Sequence, residues 1–100
     1  MHHPINGQEL STRLHNGEVL NLLDVREEIE YHTFNIGGSN IPLSVFTENL
    51  SLIRYNKTDE IIVMCKAGLR SETARLILLE NGYLNVRNLS GGLMALQKLK

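Results

Sequence analysis

The sequence is poor in the residue types that cross-link or stiffen small proteins. Among its 100 residues there are one cysteine, two prolines and no tryptophan. A single cysteine excludes a disulfide within the chain, and unpaired cysteines are typical of reducing compartments, so we expect a cytoplasmic protein. Stability must therefore come from packing, for which 42% hydrophobic residues suffice.

An excess of charge of either sign is also absent, since ten Lys and Arg residues stand against eleven Asp and Glu residues. Proteins that bind nucleic acids or membrane surfaces usually carry a basic stripe, so we expect neither partner. Apolar runs stop at four or five residues, whereas roughly 18 are needed to cross a bilayer. The segment Met1-His2-His3-Pro4 has no signal-peptide pattern, and none is expected.

What is present is an alternation of short apolar runs with helical patterns, without repeats or linkers. This alternation predicts an α/β fold in one domain, residues 1–100, with a small parallel sheet and helices on both of its faces. Strands are expected over residues 19–24, 40–42, 61–64 and 86–89. Helical segments are expected to begin at Asn6 (as an N-cap), Glu27, Leu43 (ending near residue 52), Ser71 (as an N-cap) and Gly91-Gly92.

The lone cysteine stands where a strand is predicted to end and a helix to begin. An apolar run is followed by Cys65, then by Lys66 and Arg70, and then by Ser71. A cysteine after an apolar run is more often a small packing residue. Here, however, a strand-to-helix loop directs backbone N–H groups into a shared anion-binding hollow, and two cations flank the thiol. These surroundings predict a cysteine that ionises readily and acts as a nucleophile.

A second polar residue, Asp24, is also predicted to lie at the carboxyl end of a strand. Ligands bind at these ends in open parallel sheets, so Asp24 and Cys65 mark the same edge as the site. No group of His, Cys and carboxylate residues has the spacing of metal ligands, and no glycine-rich loop of the nucleotide-binding type is present. We therefore expect neither a metal nor a cofactor.

Four segments form a pattern in a fixed order: residues 22–27 with Asp-x-Arg, 30–43 ending in Asn-Ile-Pro-Leu, 65–71 with Cys-x-x-Gly-x-Arg-Ser, and 81–92 ending in a double glycine. Together they resemble the rhodanese family of single-domain sulfurtransferases over almost the whole chain. Two details depart from the family pattern. The usual Gly-His pair is Phe34-Asn35 in a slightly shorter segment, and a tryptophan common after the double glycine is replaced near Leu96.

The resemblance implies that Cys65 is the catalytic nucleophile and carries sulfur as a persulfide. The donor would be a small anion such as thiosulfate, or a persulfide. The acceptor would be a thiol, cyanide or a sulfur-accepting protein. The implied substrate- and persulfide-binding loop consists of Lys66, Ala67, Gly68, Leu69, Arg70 and Ser71.

The roles of the charged residues in this family-like pattern remain open in part. Lys66 is expected to attract anions. Arg70 either binds the donor or ties the loop to a nearby carboxylate, and Asp24 is a candidate for that carboxylate. Arg26 is expected to form a structural ion pair.

Two other classes of function compete with sulfur transfer. Phosphatases and arsenate reductases also use Cys…Arg loops, but the family phosphatases have Cys-x5-Arg, whereas Cys65 and Arg70 form Cys-x4-Arg. The shorter loop favours sulfur over phosphorus. A persulfide carrier or a regulatory binding module is the other alternative, although the retained cysteine argues against a vestigial site.

Overall fold

The computed structural model describes residues 3–99, so Met1 and His2 of the amino-terminal segment, and Lys100, lie outside the described residues. The strands are β1 (Leu22–Asp24), β2 (Ser39–Asn40), β3 (Glu60–Met64) and β4 (Asn85–Asn88). The α-helices are α1 (Gly7–His15), α2 (Glu28–Thr33), α3 (Leu69–Glu80) and α4 (Gly92–Gln97). All strand pairs are parallel, in the order β2-β1-β3-β4. Within residues 3–99 no helix has the length and apolar character needed to cross a membrane.

Both faces of the sheet are covered, which confirms the predicted fold class. Side chains along a strand alternate between its faces, and β3 divides its residues between two buried clusters. One cluster joins the sheet to α3 and contains Leu23, Val25, Ile41, Phe46, Ile61, Val63, Cys65, Ala74, Leu78, Tyr83 and Val86. The other lies under α1 and α4 and contains Ile5, Leu10, Leu22, Ile62, Met64, Leu89 and Leu93. Alternation thus directs Cys65 toward α3.

Several predicted boundaries differ from the structure. The helix expected at Asn6 is confirmed, because the Asn6 side chain accepts a hydrogen bond from the Glu9 N–H at 2.7 Å. The strand expected over residues 19–24 begins only at Leu22, and Val19 is 98% exposed. The segment expected to be helical over residues 43–52 is helical in part: it forms two short 3₁₀ helices, Leu43–Val45 and Thr47–Leu52, rather than one continuous helix.

The predicted N-cap at Ser71 was wrong. Gly68, in the left-handed region with φ of 98°, occupies the cap position, and α3 begins at Leu69. Ser71 therefore lies inside the first turn of α3 and is fully buried. Left-handed backbone favours glycine, so the glycine of the loop, rather than the hydroxyl residue after it, decides where the helix starts.

The first turn of α4 packs directly on the loop between β3 and α3. The N–H groups of Leu93 and Met94 donate to the carbonyl oxygens of Cys65 and Lys66 at 2.9 and 3.0 Å. Gly92 permits this approach, because a Cβ atom added there would lie 2.4 Å from the Lys66 carbonyl oxygen. The N-terminus of α4 thereby holds the backbone of the loop in place.

We predict that Gly92→Ala destabilises the fold more than a glycine substitution that adds strain alone. Gly17 supplies the matched control, since its φ is 79° but no atom lies within 4 Å of an added Cβ. Gly17→Ala should lower the free energy of unfolding by about 1 kcal/mol through backbone strain. Gly92→Ala should cost roughly 2 kcal/mol more because of the backbone overlap. Urea unfolding of both variants measures the difference, and equal losses would contradict the close packing.

Candidate active site

Cys65 follows the last residue of β3 and opens the turn into α3. Its side chain faces α3 and the residue is 1% exposed, whereas Lys66, Ala67 and Leu69 on the same loop are exposed. The thiol is thus drawn inward while the surrounding loop remains at the surface. This arrangement follows from hydrogen bonds that converge on the sulfur.

Two backbone donors and one hydroxyl group surround the Cys65 sulfur. The backbone N–H groups of Gly68 and Ser71 point at Sγ at 3.1 and 3.3 Å, and the Ser71 Oγ lies 3.3 Å away. The Ser71 N–H is available because first-turn amides of a helix have no partner within the helix. The positive end of the α3 dipole faces the same point. The N–H groups of the loop thus converge on one point, the cysteine sulfur, and binding of an anion there stays a prediction.

Hydrogen bonding decides the ionisation of this thiol. Burial raises the pKa of Cys65, but hydrogen bonds from the Ser71 hydroxyl and from the backbone N–H groups of Ser71, Gly68 and Ala67 outweigh burial and lower the pKa below its ordinary value. From the sequence, the lowered pKa was expected from the backbone N–H groups of the loop together with the cations Lys66 and Arg70. In the structure the backbone N–H groups take this role with the Ser71 hydroxyl, which the sequence did not indicate.

Arg70 is tied to a carboxylate, but not to the one proposed from the sequence. Its guanidinium forms a two-point ion pair with Glu30 of α2, with N···O distances of 2.6 and 3.0 Å. Asp24 instead binds Arg26 at 2.8 Å and is fully buried. The suggestion that Asp24 organises Arg70 was therefore wrong, whereas the structural ion pair predicted for Arg26 is present.

The Asp24–Arg26 pair organises the edge of the sheet beside the loop. The Arg26 guanidinium also donates to the Phe34 carbonyl oxygen at 2.6 Å, and the Asn40 amide donates to the carbonyl oxygens of Asp24 and Arg26. A buried carboxylate needs such a partner, since an unpaired buried charge is strongly unfavourable. These contacts give both residues a structural task next to the site.

Asn88, which sequence reasoning missed, contacts the loop from the end of β4. Its Oδ1 accepts from the Ser71 hydroxyl at 2.5 Å, and its Nδ2 donates to the Gly68 carbonyl oxygen at 3.0 Å. The residue is 9% exposed. Its position near the carboxyl end of the strand predicted over residues 86–89 was the available signal.

A cleft of about 350 Å³ opens beside the loop, within the size range of small-ligand sites. Its charged lining residues are Arg26, Glu30 and Lys66, and its apolar ones are Ile29, Phe34, Leu93 and Met94. Arg26 is paired with Asp24, whereas Lys66 forms no ion pair within residues 3–99. Lys66 is therefore the cleft cation whose charge is available to an anion. No group of three His, Cys, Asp or Glu side chains in the described part of the chain is placed to hold a metal ion.

We predict that the Glu30–Arg70 pair contributes stability that acid removes. The hydrogen bonds from Arg70 lower the pKa of Glu30 from 4.5 to about 2. A lowered pKa means that the contribution is complete above pH 4.5 and is lost as pH falls toward 2. Glu30→Gln should reduce the free energy of unfolding at pH 7 by about 1 kcal/mol, a value discounted for solvent screening.

The measurement is urea unfolding of wild type and Glu30→Gln at pH values from 7 down to 3. The difference between them should shrink below pH 4.5, the ordinary value for this carboxyl group. Glu28→Gln, an exposed substitution on the same helix, is the control and should differ little from wild type. A Glu30→Gln deficit that is the same at both ends of this pH range would contradict the ion-pair interpretation.

Comparison with known proteins places this geometry in a family. The model of the rhodanese-like domain matches residues 6–99. The chain is 38% identical over 81 residues to thiosulfate sulfurtransferase PspE of Escherichia coli (strain K12), an alignment that covers 78% of this chain and 77% of that protein. A rhodanese-like domain protein from Staphylococcus aureus superposes with a TM-score of 0.82 at 27% identity, covering 96% of this chain and 91% of its own.

Other curated relatives are much longer than the chain. It is 30% identical over 95 residues to the probable adenylyltransferase/sulfurtransferase MoeZ of Mycobacterium tuberculosis (strain CDC 1551 / Oshkosh), which covers 94% of this chain. The match spans only 24% of that protein. The resemblance seen in the four sequence segments is confirmed, and the chain belongs to the rhodanese-like domain family.

Proposed function

We propose that the protein is a sulfurtransferase that receives a sulfane sulfur from thiosulfate or a persulfide donor and passes it to a thiol or cyanide through a Cys65 persulfide. The main support is that the Gly68 and Ser71 N–H groups at the start of α3 donate hydrogen bonds to Cys65 Sγ. Such donors stabilise a sulfur anion. The relative PspE, a thiosulfate sulfurtransferase by name, supports the same chemistry.

The reaction divides into two displacements at sulfur. In the first, the Cys65 thiolate attacks the outer sulfur of thiosulfate, the S–S bond of the donor breaks, and sulfite leaves with the bonding electron pair. In the second, an acceptor thiolate or cyanide attacks the outer sulfur of the persulfide, and the Cys65 thiolate leaves. No redox partner or proton donor is required for either displacement. Covalent catalysis of this kind gives ping-pong kinetics.

The loop residues have separate tasks in this proposal. After the first displacement the negative charge lies on the outer sulfur, where backbone N–H groups of residues 66–71 stabilise it as an oxyanion hole stabilises oxygen. Lys66 attracts the donor dianion into the cleft. Arg70 is held by Glu30, so we assign it the positioning of the first turn of α3, next to Ser71. Gly68 supplies the backbone conformation that aims its own N–H at the sulfur.

Mass spectrometry after incubation with thiosulfate provides the direct test. We predict a gain of one sulfur atom on Cys65, which persists in the absence of an acceptor because the chain has no second thiol to remove it. Added cyanide or a small thiol should clear the mass gain. Cys65→Ser should keep the fold, since oxygen replaces sulfur at nearly constant shape, and should lose essentially all sulfur transfer.

Retained activity in well-folded Cys65→Ser would refute the assignment of the nucleophile. A separate assay with an aryl phosphate tests the reaction class. Hydrolysis of that ester by wild type faster than its thiosulfate turnover would replace sulfur transfer by phosphatase chemistry. A persulfide that ignores small acceptors but passes to a protein would identify a carrier rather than a thiosulfate:cyanide enzyme.

A second prediction concerns attraction of the donor anion. Lys66→Ala should lower kcat/KM for thiosulfate several-fold at low ionic strength and flatten its salt dependence, because screening weakens steering by an exposed charge. Lys57→Ala is the matched control: it removes the same charge from an exposed position before β3, at the opposite end of the strand from Cys65. Steady-state kinetics at increasing salt separates the two variants. Identical salt profiles for Lys66→Ala and Lys57→Ala would contradict a local role for Lys66.

A further inference from the structure

The orientation of the Asn88 amide follows from its neighbours. Its Nδ2 lies 3.0 Å from the Gly68 carbonyl oxygen and 3.3 Å from Glu72 Oε1, two groups that only accept hydrogen bonds. The NH₂ group must face them, because the reversed amide would place oxygen against oxygen. Asn88 Oδ1 therefore points at the Ser71 hydroxyl, 2.5 Å away, and can only accept.

The Ser71 hydroxyl has two neighbours that compete for its single proton. Asn88 Oδ1 is one, and Cys65 Sγ, 3.3 Å from the Ser71 oxygen, is the other. While Cys65 is a thiol both contacts are satisfied, since the thiol donates to Ser71 and Ser71 donates to Asn88. All three residues are buried, so an unsatisfied polar group here carries its full desolvation cost.

Ionisation of Cys65 breaks this arrangement. The thiolate has no proton to donate, so Ser71 must either turn its hydroxyl proton to Sγ or present an oxygen lone pair to a negative sulfur. If the proton turns to Sγ, no proton remains between Asn88 Oδ1 and the Ser71 oxygen. Two oxygen atoms this close attract each other only when a proton lies between them. Asn88 thus opposes the hydroxyl contribution to the thiolate, while the backbone donors of Gly68 and Ser71 remain available to it.

We propose that Asn88 is a positioning residue that competes with Cys65 for the Ser71 hydroxyl proton and thereby decides which form of the cysteine that hydroxyl stabilises. The backbone N–H groups stabilise the thiolate in every case. While the thiol is protonated, the Ser71 hydroxyl donates to Asn88. It donates to Cys65 only when its hydrogen bond to Asn88 is lost. The proposal rests on the proposed function only in taking the Cys65 thiolate as the reacting species.

A double-mutant cycle on the ionisation of Cys65 tests this competition. As the single thiol of the chain, Cys65 can be titrated by its rate of alkylation with iodoacetamide across pH, with no sulfur substrate present. Asn88→Leu should raise the acid dissociation constant of Cys65 roughly threefold to tenfold, the size of one hydrogen bond between neutral groups. Ser71→Ala should lower that constant. In the Ser71→Ala background, Asn88→Leu should change it by less than about twofold.

The charged groups near the loop are unchanged in all four proteins of the cycle, so their effects cancel: Asp24, Arg26, Glu30, Lys66, Arg70 and Glu72. Loss of the bond from Asn88 Nδ2 to the Gly68 carbonyl oxygen is likewise common to both backgrounds. A structural role alone would therefore give the same Asn88→Leu effect with and without the Ser71 hydroxyl. That result, or no rise in the dissociation constant in the wild-type background, would overturn the proposal.

Two further measurements guard against a misfolded variant. Asn88→Ala removes the same acceptor with a smaller side chain and is expected to give the same sign of change. In the wild-type protein, the buried Ser71 hydroxyl proton should give an NMR signal that moves from its Asn88-bonded position as Cys65 ionises. A signal that stays bonded to Asn88 in both forms of the cysteine would contradict the competition. None of these measurements depends on sulfur transfer, so failure of the proposed function leaves them interpretable.

Discussion

The site depends on hydrogen bonds to both the N–H groups and the carbonyl oxygens of the turn from β3 into α3. The N–H groups of Gly68 and Ser71 point inward to the cysteine sulfur, which forces carbonyl oxygens of the same turn to point away from it. Buried carbonyl oxygens need donors of their own. The first turn of α4 supplies two for Cys65 and Lys66, and Asn88 supplies one for Gly68. The N–H groups can converge on the sulfur because the carbonyl oxygens that point away from it also have hydrogen-bond donors.

Among the described residues 3–99, the cations around the site are paired except for Lys66, whose charge remains available to an anion. Glu30 neutralises Arg70, and Asp24 neutralises Arg26, although both arginines lie close to the loop. Paired in this way, the arginines hold elements together: Arg70 links α2 to α3, and Arg26 joins the end of β1 to the Phe34 carbonyl. In the proposed reaction, Lys66 attracts the anionic donor, and hydrogen bonds at short range stabilise the charge on sulfur.

Several features of the fold and of the site were predictable from sequence. The alternating pattern predicted a parallel sheet with two covered faces, and the loop motif predicted that Cys65 lies where a strand turns into a helix. The N-cap at Ser71 was not found, because a hydroxyl residue before an apolar stripe is a common cap signal, and nothing local shows that Gly68 adopts a left-handed conformation. The segment over residues 43–52 has a helical composition, but Asn49 leaves helical geometry within it.

By itself, the sequence determined the class of fold, the family pattern and the position of the cysteine that we propose as the nucleophile, since these follow from periodicity and from residues adjacent in the chain. Only the tertiary structure decided which partner each side chain has. Arg70 meets Glu30, forty residues away in sequence, rather than Asp24, and Ser71 meets Asn88. The physical reason is that parallel strands bring distant segments to one edge of the sheet. Several residues of equal charge or polarity meet there, and a hydrogen-bond distance of about 3 Å, which sequence spacing does not encode, decides which of them pair.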